Sequence, residues 1–101
     1  MFVVIFRSLR TDDNEALYAE WAQRMNQAVT EIDGYISHVG FRDRETRKGV
    51  TIAYFENEEA IRTWREFPEH LTAQELGRES FYENYSVEVA EVVRAYRYPD
   101  L

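Results

Sequence analysis

The chain has 101 residues, the length of one small domain, and its 45% hydrophobic and 31% charged residues are ordinary for a globular fold. Its 15% aromatic content is too high for a disordered segment, its net charge of −7 disfavours nucleic-acid backbones, and its lack of Cys excludes disulfides, thiolate metal sites and a cysteine nucleophile. No apolar run approaches the roughly 18–20 residues of a membrane span, and Met1-Phe2-Val3-Val4-Ile5-Phe6 lacks the basic start of a signal peptide. The expectations are one domain over residues 1–101, a cytoplasmic location, and neither nucleic acid nor membrane as partner.

Phe2 to Leu9 is β-favouring and apolar on both faces, so it reads as an interior strand covered on both sides. Asp12 followed three residues later by Glu15 is a capping-box signature for the first helix. Leu17, Trp21, Met25, Ala28 and Ile32 recur near the 3.6 period, and Asp33-Gly34 ends that helix. Tyr35 to Phe41 alternates as a strand, and Val50 to Phe55 is its hairpin partner across the polar stretch Arg42 to Gly49. Arg42, Arg44, Arg47 and Lys48 cluster in that turn, where solvated charge is expected.

Asn57 caps a second helix, with Glu58 and Glu59 in its first turn and Ile61 and Trp64 on its inner side. Pro68 stops it and suits the first turn of a further helical piece, Glu69 to about Phe81. Tyr85 to Tyr98 reads as a long final strand. Tyr85, Val87 and Val89 share one face, whereas Val92, Tyr96 and Tyr98 fall in the opposite phase. Such a change predicts a β-bulge or a strand that serves two surroundings.

The order β-α-β-β-α-β is the split βαβ pattern, an α+β ferredoxin-like fold with a four-stranded antiparallel sheet. Its helices can cover only one face of the sheet, yet the first and last strands are apolar on both. The same surface of a second copy, related by a two-fold axis, is the simplest cover, so a homodimer with sheets packed face to face is expected.

Few residues could carry chemistry. His38 lies on the second strand. His70 lies on the helical piece after Pro68, where 100° per residue brings Ala73, Gln74, Gly77 and Phe81 within about 60° of it and sets Thr72, Glu75 and Glu79 opposite. Arg78 flanks the same stripe. His70 is therefore either a core imidazole bonded to a backbone carbonyl, or a polar group lining a pocket as general base, hydrogen-bond donor or axial haem ligand. Gly77 leaves room for close packing or for a ligand. Trp64 is core, or the wall of a site for a flat aromatic molecule. Tyr54, Tyr82, Tyr85 and Tyr96 are possible phenol donors. There is no GxGxxG, P-loop or GxSxG motif, and no metal-ligand spacing, so neither a cofactor nor a metal is expected.

The stretch Trp64-Arg65-Glu66-Phe67-Pro68-Glu69-His70-Leu71-Thr72-Ala73-Gln74-Glu75-Leu76-Gly77-Arg78, then Phe81-Tyr82 and the final strand, resembles the antibiotic biosynthesis monooxygenase-like family of dimeric α+β barrels. Gly34-Tyr35 fits the turn after that family's first helix, with Asp33 where a Pro is usual. The resemblance implies a pocket between sheet and helices and, by analogy with some members, oxidation of a small aromatic or polyketide-like phenol by O2 without a cofactor. It implies His70 and Trp64 as catalytic residues and Gln74, Arg78, Phe81 and Tyr54 as substrate-binding residues. Where quinone-forming members carry an Asn one turn before the Trp, this chain has Ala60, and where they carry a Tyr six residues after it, this chain has His70. Other relatives bind and degrade haem, but the first strand here lacks the Asn those members use. A non-enzymatic small-molecule-binding dimer is the remaining alternative.

Overall fold

The computed structural model describes residues 1–99. Strands β1 (Phe2–Arg10), β2 (Tyr35–Arg42), β3 (Lys48–Phe55) and β4 (Tyr82–Glu91) form one antiparallel sheet of order β2-β3-β1-β4. Helices α1 (Glu15–Ala28), α2 (Glu58–Glu66) and α3 (Pro68–Leu76) lie on one side of it. A 3-10 turn, Val29–Glu31, extends α1, and a π-helical turn, Gly77–Phe81, joins α3 to β4. This is the α+β ferredoxin-like arrangement that the pattern of apolar residues predicts.

Strand register decides which side chains meet the helices. Val4 pairs with Ala53 and Val89, and Phe6 with Thr51 and Val87. Since side chains alternate along a strand, these residues and Phe55 share the helix side. Phe55 is fully buried there with Val29, Ile32 and Ala60, and Val4, Tyr35, Ala53, Ile61, Trp64 and Phe67 pack around them. Val3, Ile5, Leu9, Val50, Ile52, Tyr54, Val39 and Phe41 lie on the other face, which no element among the described residues covers. Phe41 is 68% exposed. The double-sided apolar pattern of β1 thus has a helix layer on one side and no cover on the other within a single chain.

The start of α2 follows its sequence signal: Asn57 Oδ1 accepts a hydrogen bond from the Ala60 N–H at 2.8 Å. Beside it, Gly34 has φ +94°, and a Cβ there would stand 2.8 Å from that of Ala60. Only glycine accepts that backbone and that approach without strain.

Three expectations need correction. Asp12 does not cap α1; the helix starts at Glu15 after Asn14, whose φ is +53° and whose side chain makes no cap. Instead the Asn14 amide donates to Ser80 Oγ at 3.1 Å, and Thr11 Oγ1 donates to the Ser80 carbonyl at 2.6 Å. Tertiary bonds to the π-helical turn have displaced the local cap. Second, the hairpin arginines are not all solvated. Arg42 donates to the Arg47 carbonyl (2.7 Å), Ser8 Oγ (3.1 Å) and Tyr18 Oη (3.1 Å), and Arg47 Nε is buried. Gly49 makes the first of these possible, because a Cβ there would stand 2.7–2.9 Å from the Arg42 guanidinium.

Third, β4 begins at Tyr82 and ends at Glu91, so it is earlier and shorter than Tyr85–Tyr98. Its pairing irregularity falls near the start, between Leu9 and Arg10 of its neighbour, and not at the change of phase. The phase changes where the strand stops: β4 ends at Glu91, and the next residue, Val92, bonds through its N–H to the Met1 carbonyl at 2.9 Å.

Candidate functional site

His70 stands on the first turn of α3, directly above Trp64 of α2. The rings stack with centroids 4.1 Å apart and planes 14° from parallel. His70 Nδ1 lies 2.9 Å from the Trp64 carbonyl oxygen. A carbonyl can only accept, so Nδ1 carries the hydrogen and Nε2 of the neutral ring keeps its lone pair. Burial lowers the His70 pKa from its ordinary value, and the bond to Trp64 opposes that shift in part. Neutral imidazole with an acceptor at Nε2 is the resulting form near neutral pH.

The local chain explains this pose. Pro68 ends α2 at Glu66 and begins α3 after the extended Phe67, so the last carbonyls of α2 lack helical partners. Trp64 O accepts from the Phe67 N–H at 3.2 Å as well as from His70, and Arg65 O accepts from the Gln74 side-chain amide at 3.2 Å. His70 and Gln74, one turn apart, thus close the open end of α2. Gln74 Nε2 also approaches His70 Nδ1 to 3.5 Å. The core-imidazole reading of His70 accounts for Nδ1, and Nε2 makes no hydrogen bond among the described residues.

Arg78, one turn beyond Gln74, extends this row towards β4, where its Nη1 reaches Tyr85 Oη at 3.5 Å. Tyr85, Val87 and Val89 lie on the helix side of β4, yet Val87 is 54% and Val89 48% exposed. The helix layer therefore stops short of β4. That bare β4 row is the candidate slot, and of the helical stripe His70, Gln74 and Arg78 it is Arg78 that reaches it.

The remaining candidates fall elsewhere. Tyr54 pairs with Val3 on the open face of the sheet, so the strand alternation that sequence alone left unphased excludes it from the slot. Phe81 is buried edge-on against Tyr18, whose ring carries the Arg10 guanidinium 3.9 Å above its centroid. Trp64 has one ring face occupied by His70 and packs at an angle against Phe67 on α2–α3, so it backs the imidazole and does not offer that face to a ligand. Gly77 is there for packing, since a Cβ would stand 3.0 Å from the Tyr82 ring.

Sequence reasoning missed two constellations. Arg10 is 1% exposed and donates to the Phe81 carbonyl and to Glu15, beside the Tyr18 and Tyr82 phenols. Burial first, and then the Tyr18 phenol, raise the Tyr82 pKa above its ordinary value. The second is a relay on the edge strand: Tyr35 Oη donates to His38 Nδ1 at 2.7 Å, and His38 Nε2 donates to Asn26 Oδ1 at 3.2 Å. This ties β2 to α1, and the spacing of His38 and Tyr35 with Asn26 twelve residues earlier carries no sequence signal.

A broad groove of about 730 Å³ lies on the open sheet face, lined by Leu9, Phe41, Val50, Asn84 and Ser86 among others. It holds no imidazole, and no group of three or more His, Cys, Asp or Glu among the described residues could hold a metal ion. No helix among the described residues is long and apolar enough to cross a membrane.

The sheet order and one-sided helix layer define an α+β ferredoxin-like fold. The chain belongs to the antibiotic biosynthesis monooxygenase family, whose family model matches residues 1–76. It is 37% identical over 93 residues to the uncharacterised protein YqjZ of Bacillus subtilis, covering 92% of this chain and 80% of that one. It is 27% identical over 99 residues to a jasmonate monooxygenase of Pyricularia oryzae; this match covers 96% of the chain and 46% of the fungal protein, so the chain spans about half that relative's length. Among solved structures it is similar to SnoaB, a cofactor-independent oxygenase from Streptomyces nogalater, with a TM-score of 0.75, 16% identity, and 93% and 95% of the two chains covered.

Proposed function

We propose that the chain is a cofactor-independent monooxygenase for a small aromatic or polyketide-like phenol, acting in the slot between α3 and β4. The observation that carries this reading is the free Nε2 of His70, a neutral acceptor fixed in orientation by the Trp64 carbonyl. Family membership and the likeness to proteins described as oxygenases support the reaction class.

His70 Nε2 takes the phenol proton, and the resulting anion is electron-rich enough to react with O2. One oxygen atom enters the substrate as a carbonyl, and the other leaves as water with two substrate hydrogens. Val87, Val89 and Tyr85 receive the flat apolar body, and Gln74 and Arg78 hold the oxygen atoms. Trp64 acts through His70 as a positioning residue.

The same reading has the chain work as a homodimer through its open sheet face. Val3, Ile5, Val50 and Ile52 there form a patch of the kind that monomers seldom leave to water.

The test is oxygen consumption by the purified protein with a panel of hydroquinones and anthrones, run beside His70→Ala and His70→Gln. Uptake that is lost in both folded variants supports the assignment. Undiminished turnover in folded His70→Ala removes the histidine from the reaction. No uptake with any phenol, with ligands still raising Tm, leaves a small-molecule-binding protein on an oxygenase fold.

A further inference from the structure

The three helices do not hold the sheet equally. Helix α1 buries Ala28 and runs on into Val29 and Ile32 of the core, and α2 buries Ala60. No residue of α3 is buried, and Leu71 near its middle is 49% exposed. An element with so few buried apolar groups stands at the low-stability end of its fold. Side-chain hydrogen bonds hold it instead. Among the described residues, those that leave α3 run from the His70 ring to the Trp64 carbonyl and from the Gln74 amide to the Arg65 carbonyl.

The two ends of α3 are held differently. At the start, His70 is tied to Trp64 twice, by the hydrogen bond and by the ring stack. At the end comes the π-helical turn Gly77–Phe81, whose far side is fixed. Thr11 bonds to the Ser80 and Phe81 carbonyls, Asn14 to Ser80 Oγ, and the Arg10 guanidinium to the Phe81 carbonyl. A π-helical turn is wider than an α turn, so it can take up a movement of the helix before it without displacing the strand after it. Between the fixed His70 and the fixed Ser80, only the Gln74 side chain reaches back to α2. That bond is exposed, so the Arg65 carbonyl can turn to water when it breaks. The β4 row beside this stretch is bare, with Val87 54% and Val89 48% exposed.

We propose that α3 is the lid of the slot, with His70 as its pivot, the π-helical turn as its slack and Gln74 as its latch. The Gln74 amide leaves the Arg65 carbonyl and takes an oxygen atom of the incoming phenol. The inference deepens the slot reading above and rests on it for the ligand. Because the pivot is His70 itself, the bond to Trp64 persists through the swing, and Nε2 keeps its orientation while the site opens. Gln74 is in this sense a positioning residue.

The experiment is amide hydrogen exchange on the full chain without ligand, followed in water and in low urea. The amides of Thr72 to Leu76 should share one opening rate, well above that of the amides of β1 and β3. That rate should vary little with urea, since a lid exposes little new surface. Gln74→Leu keeps a good helix former and removes the donor. It should raise the shared rate about two- to tenfold, the worth of one hydrogen bond. If the α3 amides exchange only as fast as those of β1 and β3, the helix opens with global unfolding and the lid is wrong. If their rates are graded from the Leu76 end and unmoved by Gln74→Leu, α3 merely frays and the latch is wrong. Oxygen uptake is read separately: a shared α3 opening in a chain inert to every phenol keeps the lid and removes the oxygenase reading, and uptake without such opening does the reverse.

Discussion

The imidazole of His70 and the indole of Trp64 are joined twice, through a 2.9 Å hydrogen bond to the Trp64 carbonyl and through a 4.1 Å ring stack. The bond fixes which nitrogen carries the hydrogen, and the stack fixes where the ring plane lies. A histidine held in both respects presents one defined lone pair, which is what a general base requires. The same burial that holds the ring also lowers its pKa, so the free nitrogen stays unprotonated near neutral pH.

This lowering has a sign that can be measured. With the folded pKa below that of the unfolded chain, the unfolded state binds the proton first on acidification. The contribution of His70 to stability is complete above the ordinary imidazole value, about pH 6.5, and is lost as pH falls towards the lower folded value. Urea unfolding of the protein and of His70→Gln between about pH 8 and pH 5 should show the stability difference shrinking towards acid. A difference that is constant with pH would mean that the ring is not buried as described.

Gly77→Ala pits two effects against each other. Alanine gains about 1 kcal/mol of helix propensity over glycine. Its Cβ, however, would stand 3.0–3.1 Å from the Tyr82 ring. That ring cannot easily retreat, because Phe6, Tyr18, Phe81 and Tyr85 pack around it. Overpacking costs about 1–3 kcal/mol, so a net loss of about 1 kcal/mol is expected. Denaturant titration checks it, and Tyr82→Leu in the same chain should recover most of the loss.

Arg10 and Glu15 form an ion pair at 2.6 Å, but only the arginine is buried. The exposed carboxylate can return to water, so Glu15→Gln should cost less than about 1 kcal/mol. Arg10→Met removes the bond to the Phe81 carbonyl and the cation stacked on Tyr18, and should cost about 2–3 kcal/mol. Equal losses from the two substitutions would place the energy in the ion pair and not in the stacked guanidinium.

Asn57→Ala removes the cap on the Ala60 N–H and should destabilise the fold by about 1 kcal/mol. Asn57→Asp keeps an acceptor and adds a charge at the positive end of α2, so it should be close to neutral or slightly stabilising. Thermal unfolding of the pair separates capping from any other role of the side chain.

Much of this was legible in the sequence because it depends on local order. Apolar spacing identified strands and helices, and Asn57 and Pro68 marked the two boundaries of α2, since caps and proline act through the backbone within a few residues. The stripe through His70, Gln74 and Arg78 followed from helical period alone. The first cap was not legible, because Asn14 and Thr11 bind Ser80, far along the chain.

What only the tertiary structure decided is which faces meet. Alternation along β3 puts Tyr54 and Phe55 on opposite sides, but nothing local says which side carries helices; pairing with β1 settles it and sends Tyr54 away from the slot. The stacking of His70 on Trp64, the burial of Arg10 and the inward turn of Arg42 likewise depend on the angle between elements. The sequence by itself determined the elements, their order and the residues available for chemistry, because those are set by spacing and backbone preference. The tertiary structure determined the tautomer of His70 and the bare row of β4, because hydrogen-bond partners and exposure come from surfaces that close packing brings together.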